Sequence, residues 1–170
     1  MKNILVTGGA GFIGSHMVDA LVAAGHQVRV VDNFSTGKRE NLAQAADRID
    51  LRAISITDRE ALAEAMQGVD YVFHFAALAS VPRSVADPLA NNEHNVTGTL
   101  NLLLAARDAG VQRVVYAGSS SAYGNSAAEY KTEDIQPVPL SPYAVAKLAS
   151  EHYCQAFTSV YGLETVTVHY

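Results

Sequence analysis

Short runs of apolar residues alternate along the chain with segments whose apolar residues recur every third or fourth position. Residues 3–7, 27–31, 51–55, 71–75, 113–118 and 165–169 read as strands. Val28-Arg29-Val30-Val31 and Val114-Val115-Tyr116-Ala117 are nearly continuous apolar runs, the pattern of strands buried on both faces of a parallel sheet. Between them, residues 12–24 predict a helix with Ile13, Met17, Leu21 and Ala24 on one face, ended by Gly25. Residues 38–46 predict a weaker helix, 58–66 one capped by Asp58, and 91–109 a long one followed by Gly110. The last helix, 142–161, opens on Pro142, which a first helical turn tolerates. Residues 119–141 read mostly as loop. Strand and helix alternating with right-handed crossovers predict an α/β fold. It is a doubly wound parallel sheet in strand order 3-2-1-4-5-6, one domain over residues 1–170.

Composition narrows the partners. A chain of 170 residues is long enough for one real core and too short for two domains. The formal net charge of -5, without basic clusters, argues against nucleic acid and against an anionic membrane surface. No apolar run approaches the roughly 20 residues that span a bilayer. The opening Met1–Val6 stretch is too short for a signal peptide. The single cysteine, Cys154, forms no internal disulfide and suits a reducing cytoplasm.

Chemistry enters where the first strand ends. Thr7-Gly8-Gly9-Ala10-Gly11-Phe12-Ile13-Gly14 places Gly8, Gly11 and Gly14 between strand and helix. One glycine makes the tight turn, the second lets backbone approach a pyrophosphate, and the third allows close helix–strand packing. The helix N-terminus then offers free N–H groups to an anion. Asp32, at the end of the second strand, can accept both hydroxyls of an adenosine ribose and would repel a 2′-phosphate. Together these features predict a Rossmann-type site for NAD rather than NADP.

A second motif lies far along the chain. Tyr143-Ala144-Val145-Ala146-Lys147 puts a phenol and an ammonium on one helix face. An ammonium close to a phenol is expected to lower the phenol's pKa and make it a general base or acid for a hydroxyl. Gly118-Ser119-Ser120-Ser121 follows the fifth strand, at the carboxyl edge where ligands bind in open α/β sheets. A serine there can bond the reacting oxygen. The same stretch also faintly resembles a nucleophile elbow, which leaves a serine hydrolase as a third reading. No aspartate or histidine is clearly placed to complete a triad.

Taken in order, T-G-G-A-G-F-I-G, the acidic strand end, H-F-A-A, N-V-T-G-T, S-S-S-A-Y-G and S-P-Y-A-V-A-K resemble the extended short-chain dehydrogenases/reductases. The nearest group is the NAD-dependent nucleotide-sugar epimerases and dehydratases, in particular UDP-sugar 4-epimerases. Ala77–Ser84 is similar to enzymes acting on UDP-N-acetylhexosamines or UDP-hexuronic acids. The resemblance implies that Gly8, Gly11, Phe12, Ile13 and Asp32 hold the dinucleotide, with Asn33 and Ser35 near the ribose. Ala76, Ala77 and Ala79 would line the nicotinamide side, and Asn95 would fix the fourth strand to the long helix. Tyr143 would be the catalytic base, Lys147 would hold the nicotinamide ribose, and Ser119 would be the catalytic serine, with Ser120 as the register alternative. Arg83 and Ser84 would face the sugar diphosphate, and His74 would pack under the cofactor. The resemblance also implies a homodimer through the two long helices, with Leu100, Leu102, Leu103, Leu104, Val145, Leu148, Tyr153 and Phe157 offering apolar surface. It covers the N-terminal half of the family's chain, without the C-terminal domain that shapes the nucleotide-sugar pocket. The implied activity is NAD-dependent epimerase or dehydratase chemistry on a nucleotide sugar. The alternative is an NAD-binding module without turnover. Three positions depart from the family pattern: Gly118 stands where serine is usual, Ser55 where aspartate is common, and His169 where arginine usually stands.

Overall fold

The computed structural model describes residues 1–126 and 129–170. Six parallel strands form one sheet: β1 (Asn3–Thr7), β2 (Gln27–Val31), β3 (Ile49–Arg52), β4 (Tyr71–His74), β5 (Arg113–Ala117) and β6 (Glu164–Val168). Their order is β3-β2-β1-β4-β5-β6, as expected for a doubly wound sheet. The helices are α1 (Phe12–Ala23), α2 (Arg59–Ala65), α3 (Val81–Ala86), α4 (Pro88–Asn92), α5 (Gly98–Asp108) and α6 (Pro142–Tyr161). Among the described residues, no helix is long and apolar enough to cross a membrane.

Two apolar cores flank the sheet. Val6, Val18, Val28 and Val30 join Leu42 in the smaller one, on the α1 side. The larger holds Leu5, Leu62, Val72, Leu102, Leu103, Val114, Tyr116, Cys154 and Phe157, which sets α5 and α6 on the same face. Leu102, Leu103 and Phe157 are therefore spent on the chain's own core. The expectation that they offer surface for a second copy is corrected. What α6 turns outward is Val145, Tyr153, Val160 and Tyr161.

Several elements differ from the periodicity. The third strand lies at Ile49–Arg52, two residues early, because its register pairs Val28 with Ile49 and Val30 with Leu51. The helix expected over 38–46 is replaced by two 3₁₀ turns, Arg39–Leu42 and Ala46–Arg48. Here the Ala10 carbonyl accepts from both Lys38 N and Asn41 Nδ2, drawing the segment over the glycine loop. The long helix expected over 91–109 is α4, a π turn (Glu93–Thr97) and α5 in succession. The Asn95 carbonyl takes hydroxyl hydrogen bonds from Thr99 and Ser150, both 2.7 Å, and this side-chain capture accompanies the widened turn. The 119–141 loop contains one 3₁₀ turn, Ser120–Tyr123, and its residues 127 and 128 lie outside the described residues.

Candidate functional site

The carboxyl ends of β1, β2, β4 and β5 open onto one cleft of about 440 Å³. Its floor is the glycine loop. Gly8 has φ +67°, and a Cβ there would lie 2.7 Å from Ala76 N, so the residue must be glycine to let β1 turn beside the wall after β4. A Cβ on Gly14 would collide with the Gly8 carbonyl, which is the helix–strand packing role anticipated for the third glycine. Gly11 caps α1 without a side-chain hydrogen bond. Phe12, 78% exposed, and Ile13 stand at the mouth.

Asp32 is only 7% exposed. Its Oδ2 accepts from Ala10 N at 2.9 Å and its Oδ1 from Phe34 N at 2.8 Å. The carboxylate thus clamps the glycine loop to the loop after β2, and still carries free lone pairs toward the cleft. It also holds Phe34 at φ +58°, a left-handed conformation uncommon for a bulky residue. The Arg39 guanidinium covers the Phe34 ring at 4.3 Å. Asn33 and Ser35 line the same end, with Asn33 Oδ1 accepting from Ser35 N.

At the other end stand Ala76, Ala77, Ala79, Ser119, Tyr143 and Lys147. Lys147 is 4% exposed and donates from Nζ to the Ala117 carbonyl at 2.7 Å, above the Tyr116 ring. Burial pushes its pKa down to about 8. Burial likewise raises the Tyr143 phenol above its ordinary value, opposed by a hydrogen bond with Ser119. The expected lowering of Tyr143 by Lys147 is therefore corrected for this cleft: desolvation dominates, and the ammonium is bound to a backbone carbonyl instead. Ser119, not Ser120, borders the cleft, and its Oγ shares a 2.8 Å hydrogen bond with Ser121 Oγ.

Ser84 also requires correction. It is buried, donates to the Val81 carbonyl at 2.7 Å and accepts the Tyr143 backbone N–H at 3.1 Å. Its hydroxyl is spent fixing the first turn of α6, so it does not face a sugar diphosphate. Arg83 is exposed and lies outside the cleft lining. We expect Ser84→Ala to leave one buried N–H unpaired, costing about 1–2 kcal/mol in urea unfolding, with a larger loss of any Tyr143-dependent rate than of cofactor affinity.

Beneath the floor, His74 is fully buried. Its Nδ1 shares a 2.7 Å hydrogen bond with Thr7 Oγ1 and its Nε2 a 3.0 Å bond with Thr99 Oγ1. The Thr99 hydroxyl hydrogen goes to the Asn95 carbonyl, so Thr99 accepts from His74 Nε2–H, and Nδ1 accepts from Thr7. Burial, then the Lys147 charge, push its pKa down to about 3. It is a neutral strut, as expected, and no acid or base. Asn95 ties α5's approach to the wall through Leu78, accepting its N–H at 2.8 Å. The cleft also includes Leu78, His94, Thr36, Gly37, Ile54 and Tyr170, which the sequence reading did not single out. The π turn that brings His94 to the wall is a tertiary effect. Ser55, also at the wall, bonds Thr57 through its hydroxyl.

The profile of the NAD dependent epimerase/dehydratase family matches residues 4–170. The chain belongs to that family. Among relatives, a UDP-glucose 4-epimerase of Mycolicibacterium smegmatis is 44% identical over 166 residues, covering 94% of this chain and 52% of that one. A UDP-N-acetylglucosamine 4-epimerase from Methanobrevibacter ruminantium M1, solved with UDP-N-acetylmuramic acid, superposes with TM-score 0.94 at 40% identity, over 99% of this chain and 54% of that one. A dTDP-glucose 4,6-dehydratase from Streptomyces venezuelae, solved with NAD, gives TM-score 0.94 at 39% identity, over 98% and 55%. The chain spans about half the length of the relatives it matches. In this chain the glycine loop and the Tyr143–Lys147 helix border one cleft. The hydrolase reading finds no support beside it: His169 pairs with Glu151 and gives its other nitrogen to Tyr123, not to a serine.

Proposed function

We propose that this chain binds NAD in the cleft and carries the redox half of a nucleotide-sugar epimerase or dehydratase, with a UDP-sugar as substrate. The observation that carries this reading is convergence: the glycine loop and Asp32 occupy one end of a single cleft, and Ser119, Tyr143 and Lys147 the other. The residues fit the dinucleotide. Gly8 and Gly14 permit close backbone approaches that a Cβ would block and so hold the loop tight beneath the cleft, α1 presents its N-terminus, and Asp32 retains acceptor capacity for a ribose. NAD, when bound, supplies the hydride acceptor. The chain's own residues manage the proton. Tyr143 accepts the proton of a sugar hydroxyl at its phenol oxygen, Ser119 hydrogen-bonds the reacting oxygen, and Lys147 would hold the nicotinamide ribose.

Cofactor choice tests the first part. NAD should bind at least about tenfold more tightly than NADP in calorimetry, because the Asp32 carboxylate opposes a 2′-phosphate. Asp32→Asn removes the charge while keeping an acceptor for Ala10 or Phe34, and should narrow that preference. Equal or tighter NADP binding by the unmodified chain contradicts the reading.

The half-length coverage favours a second reading, a cofactor-binding module that turns over only with further polypeptide. Conversion of UDP-glucose by this chain alone, followed by proton NMR, would eliminate it. We further propose a homodimer through the outward apolar residues of α6, and a cytoplasmic setting in keeping with a single, buried, unpaired cysteine. A stable monomer in light scattering would exclude the dimer.

A further inference from the structure

On the face of the Ser119 loop turned away from the cleft, three side chains from three elements meet. His169, just past β6, places Nδ1 2.7 Å from the Tyr123 hydroxyl and Nε2 2.9 Å from Glu151 Oε2. Glu151 lies one helical turn beyond Lys147 on α6, and Tyr123 closes the 3₁₀ turn that Ser119 caps. The group is well shielded: the His169 and Glu151 side chains are 18% and 15% exposed. The imidazole meets the Tyr123 ring edge-on, with centroids 5.2 Å apart.

The ring lies where it does because residue 118 has no side chain. A Cβ on Gly118 would collide with His169 Cδ2 and would lie 2.9 Å from Nε2 and 2.8 Å from Thr167 Cγ2. The two positions that depart from the family pattern on either side of Ser119 are thus one steric pair. The backbone brackets the ring on both sides. Gly118 N donates to the Val168 carbonyl at 2.8 Å and Ser120 N to the Tyr170 carbonyl at 3.0 Å, so β6 grips the loop through the residues before and after His169.

We infer that His169 is a positioning residue: held between Glu151 and Tyr123, it fixes the loop that presents Ser119 to Tyr143, in a space that only glycine at 118 leaves open. The role of Ser119 rests on the function proposed above. His169 itself lines a separate hollow with Glu133, Gln155 and Thr167 and does not border the cofactor cleft. The charged and titratable groups facing this cluster are Glu151 from α6, Glu133 and Asp134 from the loop, and Lys131, whose Nζ reaches the Ser120 and Gly124 carbonyls at 3.5 Å. Burial and the three carboxylates hold Tyr123 above its ordinary range, so it stays a phenol and donates to Nδ1. Nε2–H then donates to Glu151.

Two measurements on the full chain test this. The first is a thermal double-mutant cycle with Gly118→Ala and His169→Ala. Gly118→Ala should lower the Tm when His169 is present and lower it clearly less in the His169→Ala background, where the ring is gone and only Thr167 Cγ2 still meets the new Cβ. An equal loss in both backgrounds overturns the steric pairing. The second is titration of the Tyr143 phenol by ¹³Cζ NMR without cofactor. His169→Ala, and more gently Tyr123→Phe, should move the midpoint upward, because the Ser119 bond that opposes burial is weakened. A midpoint unchanged in a folded Tyr123→Phe chain and a folded His169→Ala or His169→Gln chain overturns the positioning role. Histidine ¹⁵N shifts should show hydrogen on Nε2 in the unmodified chain and lose that preference in Tyr123→Phe. NAD calorimetry runs alongside: failure of the unmodified chain to bind NAD counts against the proposed function, while both other measurements still report on His169.

Discussion

Tyr143→Phe is expected to lower nucleotide-sugar conversion by roughly 100- to 10,000-fold, the range for loss of a positioned general base, while NAD affinity stays within about threefold. The substitution removes one oxygen. The ring keeps its place, because the first turn of α6 is held by Ser141 on Ala144 N and by Ser84 on Tyr143 N. Without the phenol oxygen, Ser119 and Lys147 remain, but neither is poised to take the proton: the serine is bonded to Ser121, and the lysine to the Ala117 carbonyl. The assay is proton NMR of a UDP-sugar, using the chain together with whatever polypeptide turnover requires. A Tyr143→Phe enzyme close to the unmodified rate would remove the proton-transfer role.

Acid should unfold the chain early, and His74 should be the reason. Its folded pKa, about 3, lies below the 6.5 of the free side chain. The unfolded chain therefore binds the proton first, and stability is lost as pH falls from 6.5 toward 3. Between pH 6.5 and about 4.5 this amounts to on the order of 2 kcal/mol. Asp50 and Asp70 have pKa values held below 3.8, by Arg52 and by the Asn3 backbone N–H respectively, so their losses come lower and do not blur that window. Urea unfolding at pH 7, 5.5 and 4.5 should show the slope, and His74→Gln should flatten it despite a lower stability at pH 7. An unchanged slope in His74→Gln would place the acid sensitivity elsewhere. The effect reaches function because the same imidazole links Thr7, at the end of β1, to α5 under the cofactor floor.

Local signals made much of this legible. The six strands were readable because parallel strands are apolar on both faces, and the glycine loop because its spacing sits between a strand and a helix. Asp58 was readable as a cap, and it accepts from Ala61 N as caps do. What was not legible depends on distant partners. β3 slid two residues to match β2, and the 38–46 segment gave up its helix for hydrogen bonds to Ala10. The short α3 and α4 were passed over although each opens on a cap followed by proline, Ser80 before Pro82 and Asp87 before Pro88. Ser84 looked like a ligand contact because its type and place suit one, and only its two hydrogen bonds show otherwise. The Gly118–His169 fit spans two strands and leaves no trace in either local pattern.

The π turn ahead of α5 works as a phase shifter. Asn91 just before it and Asn95 within it serve α6 and the wall at Leu78; downstream, Thr99 serves His74 and Leu102 and Leu103 fill the core. The widened turn takes up about one residue more than an α turn, so one residue removed from Glu93–Thr97 would leave α5 near its present phase, whereas one removed at Gly98 would rotate everything after it by about 100°. Thr99 would swing away from the imidazole, and the two leucines would turn toward α2 or solvent. The start of α5 should therefore accept substitution far more readily than a change of length, and a variant survey that counts deletions separately would find it less tolerant of a lost residue than the π turn just before it.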